Sequence, residues 1–323
     1  MTEGSEVSET TLQDNPKNAK KPRKKITLRS SLQYCFNLWL CFMLTGLFLV
    51  LCIRDKIVLF PFQDTSWKVH VPELKEKLAT AKVKIESKEQ LIPGPNGKQL
   101  STLLITRPDA KYIYLISHGN AGNLGHRLAL AAFIIASGQS VFMYDYEGYG
   151  ESQGEAKLAN LIPDGVAAFD YLTKTMAYKP EQIILYGESI GCGVTTGIMK
   201  ERKSRAVVLQ SPFTSLMAAG KDKLWQLKIF PDWVCPEPRL DNLSAVKADH
   251  PPLLLIHGDM DSTLPVSYSR TLYKEAVAPK RYYEIKGAGH NDVGFTDVAG
   301  FRAALIDFIT SFEQPDSAAK KQT

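Results

Sequence analysis

The 323-residue sequence has no pair of cysteines at metal-ligand spacing, no H-x-x-x-H pair and no phosphate-cradling loop. The usual footing for a zinc or nucleotide site is therefore missing, and neither a metal nor a cofactor is expected. The five cysteines are an odd number, three of them (Cys35, Cys41, Cys52) within one apolar stretch. That implies no disulfide framework, and Cys192 and Cys235 read as inert core or lid residues. Excess charge is also scarce. Of the formal net charge of +5, residues 1–30 supply +3 through seven Lys/Arg against four Asp/Glu, leaving +2 for the rest. A globular part so close to neutral offers no nucleic-acid footprint. One near miss remains, Gly148-Tyr149-Gly150-Glu151-Ser152-Gln153-Gly154, whose third glycine falls one place late for a dinucleotide fingerprint. It reads as the turn after a strand.

Charge is wholly absent from Tyr34 to Ile53, where Asn37 is the one strongly polar residue. Twenty such residues at about 1.5 Å each span roughly 30 Å, one hydrocarbon core. Tyr34 and Trp39 suit an interfacial belt, and Arg54 and Lys56 close the far end. The apolar stretch exceeds the roughly 7–15 residues of a cleaved signal peptide, and no small-x-small site follows it. We therefore expect a transmembrane signal anchor over 33–53, a basic cytoplasmic tail over 1–32 and a connector over 54–80. The main domain should cover 81–314, with a polar tail over 315–323. Seven positive charges before the span against two close behind predict a cytoplasmic N-terminus and an extracytoplasmic main domain (periplasmic in a bacterium), held at the cell membrane.

Beyond the connector, apolar runs alternate with helical patterns, as in an α/β fold with a mostly parallel sheet. Strands are expected at Val83–Glu89, Leu103–Thr106, Tyr112–Ser117, Val141–Tyr146, Ile183–Tyr186, Val207–Gln210, Leu253–His257 and Tyr282–Lys286. The first two have only the turn Pro93-Gly94-Pro95-Asn96-Gly97 between them, which predicts an antiparallel entry. Helices are expected at Leu124–Ala136, Leu158–Thr173, Ile190–Lys200, near Thr271–Ala276, and at Val298–Phe312. Residues 212–249 show no strand but carry many apolar residues. They read as a covering helix or as a small cap lining an acyl pocket.

The chemistry centres on Gly187-Glu188-Ser189-Ile190-Gly191, a G-x-S-x-G between an apolar strand and a helix. Such a turn exposes its serine and is too tight for side chains at its flanks. A serine hydroxyl needs a base, an orienting acid and oxyanion donors. His290, in a loop of small residues beyond the last strand, is the expected base. His257 closes the preceding strand and comes before the candidate acids. The loop after that strand holds Asp259 and Asp261. Asp261 lies further along, towards the catalytic face, and is the preferred acid, whereas Asp259 suits a turn role. The N–H of Ile190 is one expected oxyanion donor. The other comes from the loop His118-Gly119-Asn120-Ala121-Gly122-Asn123, with Asn120 preferred and Ala121 next. His118 and His126 read as packing or hydrogen-bonding residues around that loop.

The strings HGNAGN, YDYEGYGES, GESIG, SPFTSL, HGDMD and GAGHND, in this order over residues 83–313, resemble those of the α/β-hydrolase superfamily. They most resemble its membrane-anchored serine hydrolase branch, which includes the abhydrolase-domain protein depalmitoylases and lysophospholipases. The resemblance implies an eight-stranded α/β-hydrolase fold, Ser189, Asp261 and His290 as a triad, and Ile190 with Asn120 as oxyanion donors. It does not specify substrate, and a transmembrane anchor differs from the lipidated cysteines that hold the depalmitoylases to the cytoplasmic surface. The expected activity is cleavage of an ester or thioester, of a lipid-like or medium acyl substrate, through an acyl-enzyme. Alternatives are peptidase or amidase action by the same triad, or a non-catalytic binding protein on the same fold.

Overall fold

The computed structural model describes residues 27–313. The basic run at 20–25 and the polar tail at 315–323 lie outside the described residues. The chain divides into two compact units, one ending at Leu44 and the other beginning at Thr45. The first is described as the greater part of helix α1, Leu28–Cys52, whose last turns belong to the second. The helix starts earlier than the uncharged stretch because Thr27 Oγ1 accepts the N–H of Ser30 at 3.2 Å, a capping contact that hydropathy does not register. Its segment Leu28–Leu49, 22 residues of mean hydropathy 1.5, is long and apolar enough to cross a membrane.

In the second unit, residues 54–80 carry α2 (Arg54–Val58), a turn at Ser66–Val69 and α3 (His70–Thr80). Trp67, Val71 and Leu78 are buried, so this stretch contributes to the core. The sheet that follows has β1 (Glu86–Pro93), β2 (Gln99–Thr106), β3 (Ile113–Ser117), β4 (Ser140–Tyr144), β5 (Ile183–Glu188), β6 (Ala206–Gln210), β7 (Leu253–Gly258) and β8 (Lys280–Ile285). Its spatial order is β1-β2-β4-β3-β5-β6-β7-β8. β2 runs antiparallel to both its neighbours, and every other pairing is parallel. The antiparallel entry agrees with the expected turn at 93–97, but β1 sits further along than Val83–Glu89. Its limits are set by register, Glu86 opposite Thr106 and Pro93 opposite Gln99, while Ile85 turns into the core just before the strand.

The connecting helices are α4 (Leu128–Ala136), α5 (Leu158–Asp170), α6 (Ile190–Glu201), α7 (Leu216–Lys223), α8 (Asn242–Lys247), α9 (Ser267–Glu275), α10 (Val293–Thr296) and α11 (Val298–Glu313). Strand alternation sorts the core into two layers. Ile183 and Leu185 pack with Leu161, Ile198, Val246 and Leu272 from α5, α6, α8 and α9. Ile184 and Tyr186 pack with Val71, Ile134 and Phe301 from α3, α4 and α11. A central strand buried on both faces must read as a continuous apolar run, as Ile183-Ile184-Leu185-Tyr186 does. Between β6 and β7 the strand-free stretch holds α7, turns at Trp225–Ile229 and Asp232–Val234, and α8. Met217, Leu227 and Cys235 form a small buried cluster of their own there.

Candidate active site

Ser189 forms the turn from β5 into α6, with its backbone at φ 54° and ψ −118°. A side chain in this region is strained and is held there by its surroundings. The flanking glycines are required sterically. A Cβ on Gly187 would lie 2.6 Å from Cα of Cys192, and one on Gly191 would lie 2.0 Å from the Ser117 carbonyl oxygen. The Ser189 N–H donates to the Gln210 carbonyl at 2.9 Å, tying the turn to β6.

The structure brings the three expected side chains together. His290 Nε2 lies 3.1 Å from Ser189 Oγ, and His290 Nδ1 lies 2.6 Å from Asp261 Oδ2. A carboxylate only accepts, so Nδ1 carries the proton and Nε2 is left to accept from the serine hydroxyl. Asp261 Oδ1 accepts the N–H groups of Thr263 and Leu264, both at 2.8 Å. Burial would raise the Asp261 carboxyl, but the hydrogen bonds from His257 and His290, with that of the Leu264 N–H, outweigh it and hold the group well below its usual range. Asp259 stands elsewhere, accepting the Gly287 N–H at 2.6 Å through Oδ1. It fixes the turn that leads to His290.

Sequence reasoning missed His257. It is fully buried, with Nε2 2.9 Å from the Leu264 carbonyl and 3.1 Å from Asp261 Oδ2, and Nδ1 2.7 Å from Ser269 Oγ. The carbonyl can only accept, so Nε2 carries the proton and also donates to Asp261, while Nδ1 accepts from Ser269. Its place at the end of β7, four residues before the acid, was the available signal.

The loop after β3 passes beside Ser189. A Cβ on Gly119 would lie 3.6 Å from Ser189 Cβ and 2.9 Å from an Arg127 guanidinium nitrogen. Asn120 is held on both sides. Its amide donates to the Val58 carbonyl at 2.7 Å, and its own carbonyl accepts from the Tyr149 hydroxyl at 2.8 Å and the Phe60 N–H at 2.9 Å. The backbone N–H groups of Asn120 and Ile190 make no hydrogen bond among the described residues. Ala121 lies opposite Phe60 in a two-residue parallel bridge, whose hydrogen bonds run from the Phe60 and Phe62 N–H groups to the Asn120 and Gly122 carbonyls. His118 is buried against Tyr146 and His126 folds back on Asn123, both as packing and hydrogen-bonding residues of the loop.

A second missed pair clamps this loop to the nucleophile turn. Arg127 donates to both oxygens of Glu188, at 3.0 and 2.9 Å, and to the Ala121 carbonyl at 2.8 Å. The two residues stand 61 positions apart, so no local pattern announces the contact. Over Ser189 lies a cavity of about 420 Å³ lined by Ile190, Phe213, Met217 and Leu227 among others, with Arg54 and Lys223 its charged residues.

The strand order, with a strained serine between β5 and α6, defines the α/β-hydrolase class. Solved structures share it: an esterase of Pyrococcus furiosus superposes with a TM-score of 0.62 at 18% identity, covering 78% of this chain and 97% of that one. Residues 108–248 match the model of the family described as serine aminopeptidase, S33. The chain is 31% identical over 234 residues to alpha/beta hydrolase domain-containing protein 17B of Xenopus tropicalis, covering 71% of this chain and 78% of the relative. It is 34% identical over 196 residues to an uncharacterized protein of Mycobacterium tuberculosis, covering 61% and 69% respectively. The chain belongs to the α/β-hydrolase superfamily, and it is a hydrolase.

Proposed function

We propose that the protein is a membrane-anchored serine hydrolase that cleaves an acyl ester or thioester through an acyl-enzyme. The observation that carries this reading is the unbroken relay from Ser189 Oγ through His290 to Asp261. Ser189 attacks the acyl carbon as its proton passes to His290 Nε2, and Asp261 holds the imidazole and stabilises its charged form. The N–H groups of Ile190 and Asn120 take the oxyanion, and His290 returns the proton to the leaving atom. Water, activated by the same imidazole, then releases the acid.

The apolar cavity beside Ser189 supports an acyl or lipid-like substrate. Aminopeptidase action is the second reading, favoured by the description of the matching family model. A free amino terminus calls for a carboxylate partner, and the residues lining this cavity include none, which favours the ester. The apolar helix Leu28–Leu49 supports anchoring, and the basic residues before it support a cytoplasmic N-terminus with the hydrolase domain outside. Fluorophosphonate labelling tests the reading. Labelling should occur on the wild type and vanish in Ser189→Ala; an unlabelled wild type would mean a non-catalytic binding protein. A fluorescent GFP fusion after residue 60 would reverse the orientation.

A further inference from the structure

A second cavity, of about 560 Å³, adjoins the site and has no part in the relay. Its walls include Phe62, Phe133 and Phe295, and its polar lining includes Arg127, Glu188 and Asn291. The two cavities lie over opposite layers of the sheet. Ile190, Phe213 and Leu264, around the first, belong to the core beneath α5, α6, α8 and α9. Phe133 and Phe301, in the second, belong to the core beneath α3, α4 and α11. The catalytic elements divide the cavities. Ser189 and Asn120 line the first, while their chain neighbours Glu188 and Ala121 line the second, as does Asn291, which follows His290.

The direction of proton transfer assigns the two spaces. The loop bearing His290 runs between Ala288 and Val293, both packed in the core layer beneath the second cavity. The loop that carries the imidazole therefore borders the second cavity, which Asn291 lines. In acylation the Ser189 Oγ–acyl bond forms, the acyl–oxygen bond of the ester breaks, and the proton on His290 goes to the departing oxygen. A departing half that takes its proton from His290 can extend past Asn291 into the second cavity, which leaves the first, over Ile190 and Asn120, to the acyl half.

We propose, building on the hydrolase reading, that the second cavity is a leaving-group site selecting esters whose alcohol half is itself large, uncharged and apolar. Arg127 and Glu188 neutralise each other in a two-pronged pair at its wall, so this ion pair presents no net charge to a ligand. Phe60, Phe62, Phe133, Phe295 and Phe301 supply the apolar contact.

The test uses two ester series with the purified full chain, at concentrations below micelle formation. One fixes a hexanoyl acyl group and lengthens the primary alkanol from ethanol to hexanol, keeping leaving-group acidity nearly constant; the other fixes ethanol and lengthens the acyl chain. kcat/KM, which reports acylation, should rise along the alkanol series by up to about four-fold per added methylene. Ala129→Trp, which fills the second cavity, should flatten the alkanol series and spare the acyl series. Met217→Trp should do the reverse. Phe295→Ala, at an exposed side chain, should also flatten the alkanol series and serves if the tryptophan variant does not fold. Turnover of these esters with no dependence on alkanol length overturns the leaving-group site and leaves the hydrolase standing. Absence of both turnover and Ser189 labelling overturns the hydrolase reading itself.

Discussion

His257 and His290 both point a ring N–H at the same atom, Oδ2 of Asp261, from 3.1 and 2.6 Å. With the two N–H groups on Oδ1, the carboxylate accepts four hydrogen bonds, and only one of them comes from the expected base. In the proposed mechanism His257 would be a positioning residue working through Asp261. Its loss should let Asp261 carry more negative charge against the imidazole. In His257→Leu, kcat/KM should fall about ten-fold, in keeping with one charge-assisted hydrogen bond. The acidic limb of the pH profile should also move to higher pH, while His257→Gln keeps a donor and most of the wild-type profile. An unmoved limb accompanied by a lower Tm would show that His257 merely supports the loop.

Asp261 and Asp259 should separate cleanly. Asp261→Asn should cost about 10³-fold or more in ester turnover, because the amide no longer fixes the imidazole tautomer. Asp259→Asn retains an acceptor for the Gly287 N–H and should stay within about three-fold of wild type. The same carboxyl also shapes acid stability. Its pKa is lowered in the folded state, so its contribution is fully present above the ordinary value of 3.8 and is lost as pH falls below it. Asp261→Asn should therefore lose less Tm than wild type between pH 4 and pH 2 in a thermal melt.

Arg127 and Glu188 are mostly buried, with side-chain exposures of 11% and 19%. Arg127→Met strands a carboxylate beside the nucleophile and should destabilise the fold by about 3–5 kcal/mol. Arg127→Met with Glu188→Gln should recover much of that loss in urea denaturation. Activity should recover less, because the guanidinium also holds the Ala121 carbonyl. Equal stabilities of the single and double variants would contradict the coupling.

Asp164 on α5 is fully buried, with Oδ2 accepting the Glu147 N–H at 2.9 Å and, among the described residues, no partner at Oδ1. Burial pushes its carboxyl up to about 7, against the pull of that N–H and with help from the Glu147 charge. A raised acid favours the folded state while protonated. Its contribution is fully present below the ordinary value of 3.8 and is lost as pH rises through about 7. The Tm of Asp164→Asn, measured relative to wild type, should climb by several degrees from pH 5 to pH 8, and a flat difference would refute the assignment.

The sequence revealed most where a signal is local. The doubly buried β5 announced itself as a run of four apolar residues, and the elbow by glycines that have no room for a Cβ. His290 and Asp261 followed from chain order beyond their strands. Strand limits were less legible, because β1 begins where its partner's register allows rather than where apolar residues begin. Trp67 looked like part of a connector, yet it packs where Gly125 leaves space, within 2.0 Å of a Cβ built there. His257, Arg127 and Glu188 stayed hidden because their roles lie in tertiary contacts, one of them across 61 residues.

The loops that carry the acid and the base are stitched to each other. The Met260 N–H donates to the Ala288 carbonyl at 2.9 Å, the Asp259 N–H to that of Ile285 at 3.1 Å, and a Cβ on Gly258 would lie 2.3 Å from the Ala288 oxygen. A residue added to or removed from either loop would break these contacts with the other, so the two loops hold each other's length. The stretch between β6 and β7 has its own small buried cluster and carries none of the three relay residues. A change of length or sequence confined to this stretch should therefore alter the space over Ser189 and leave the proton path as it is.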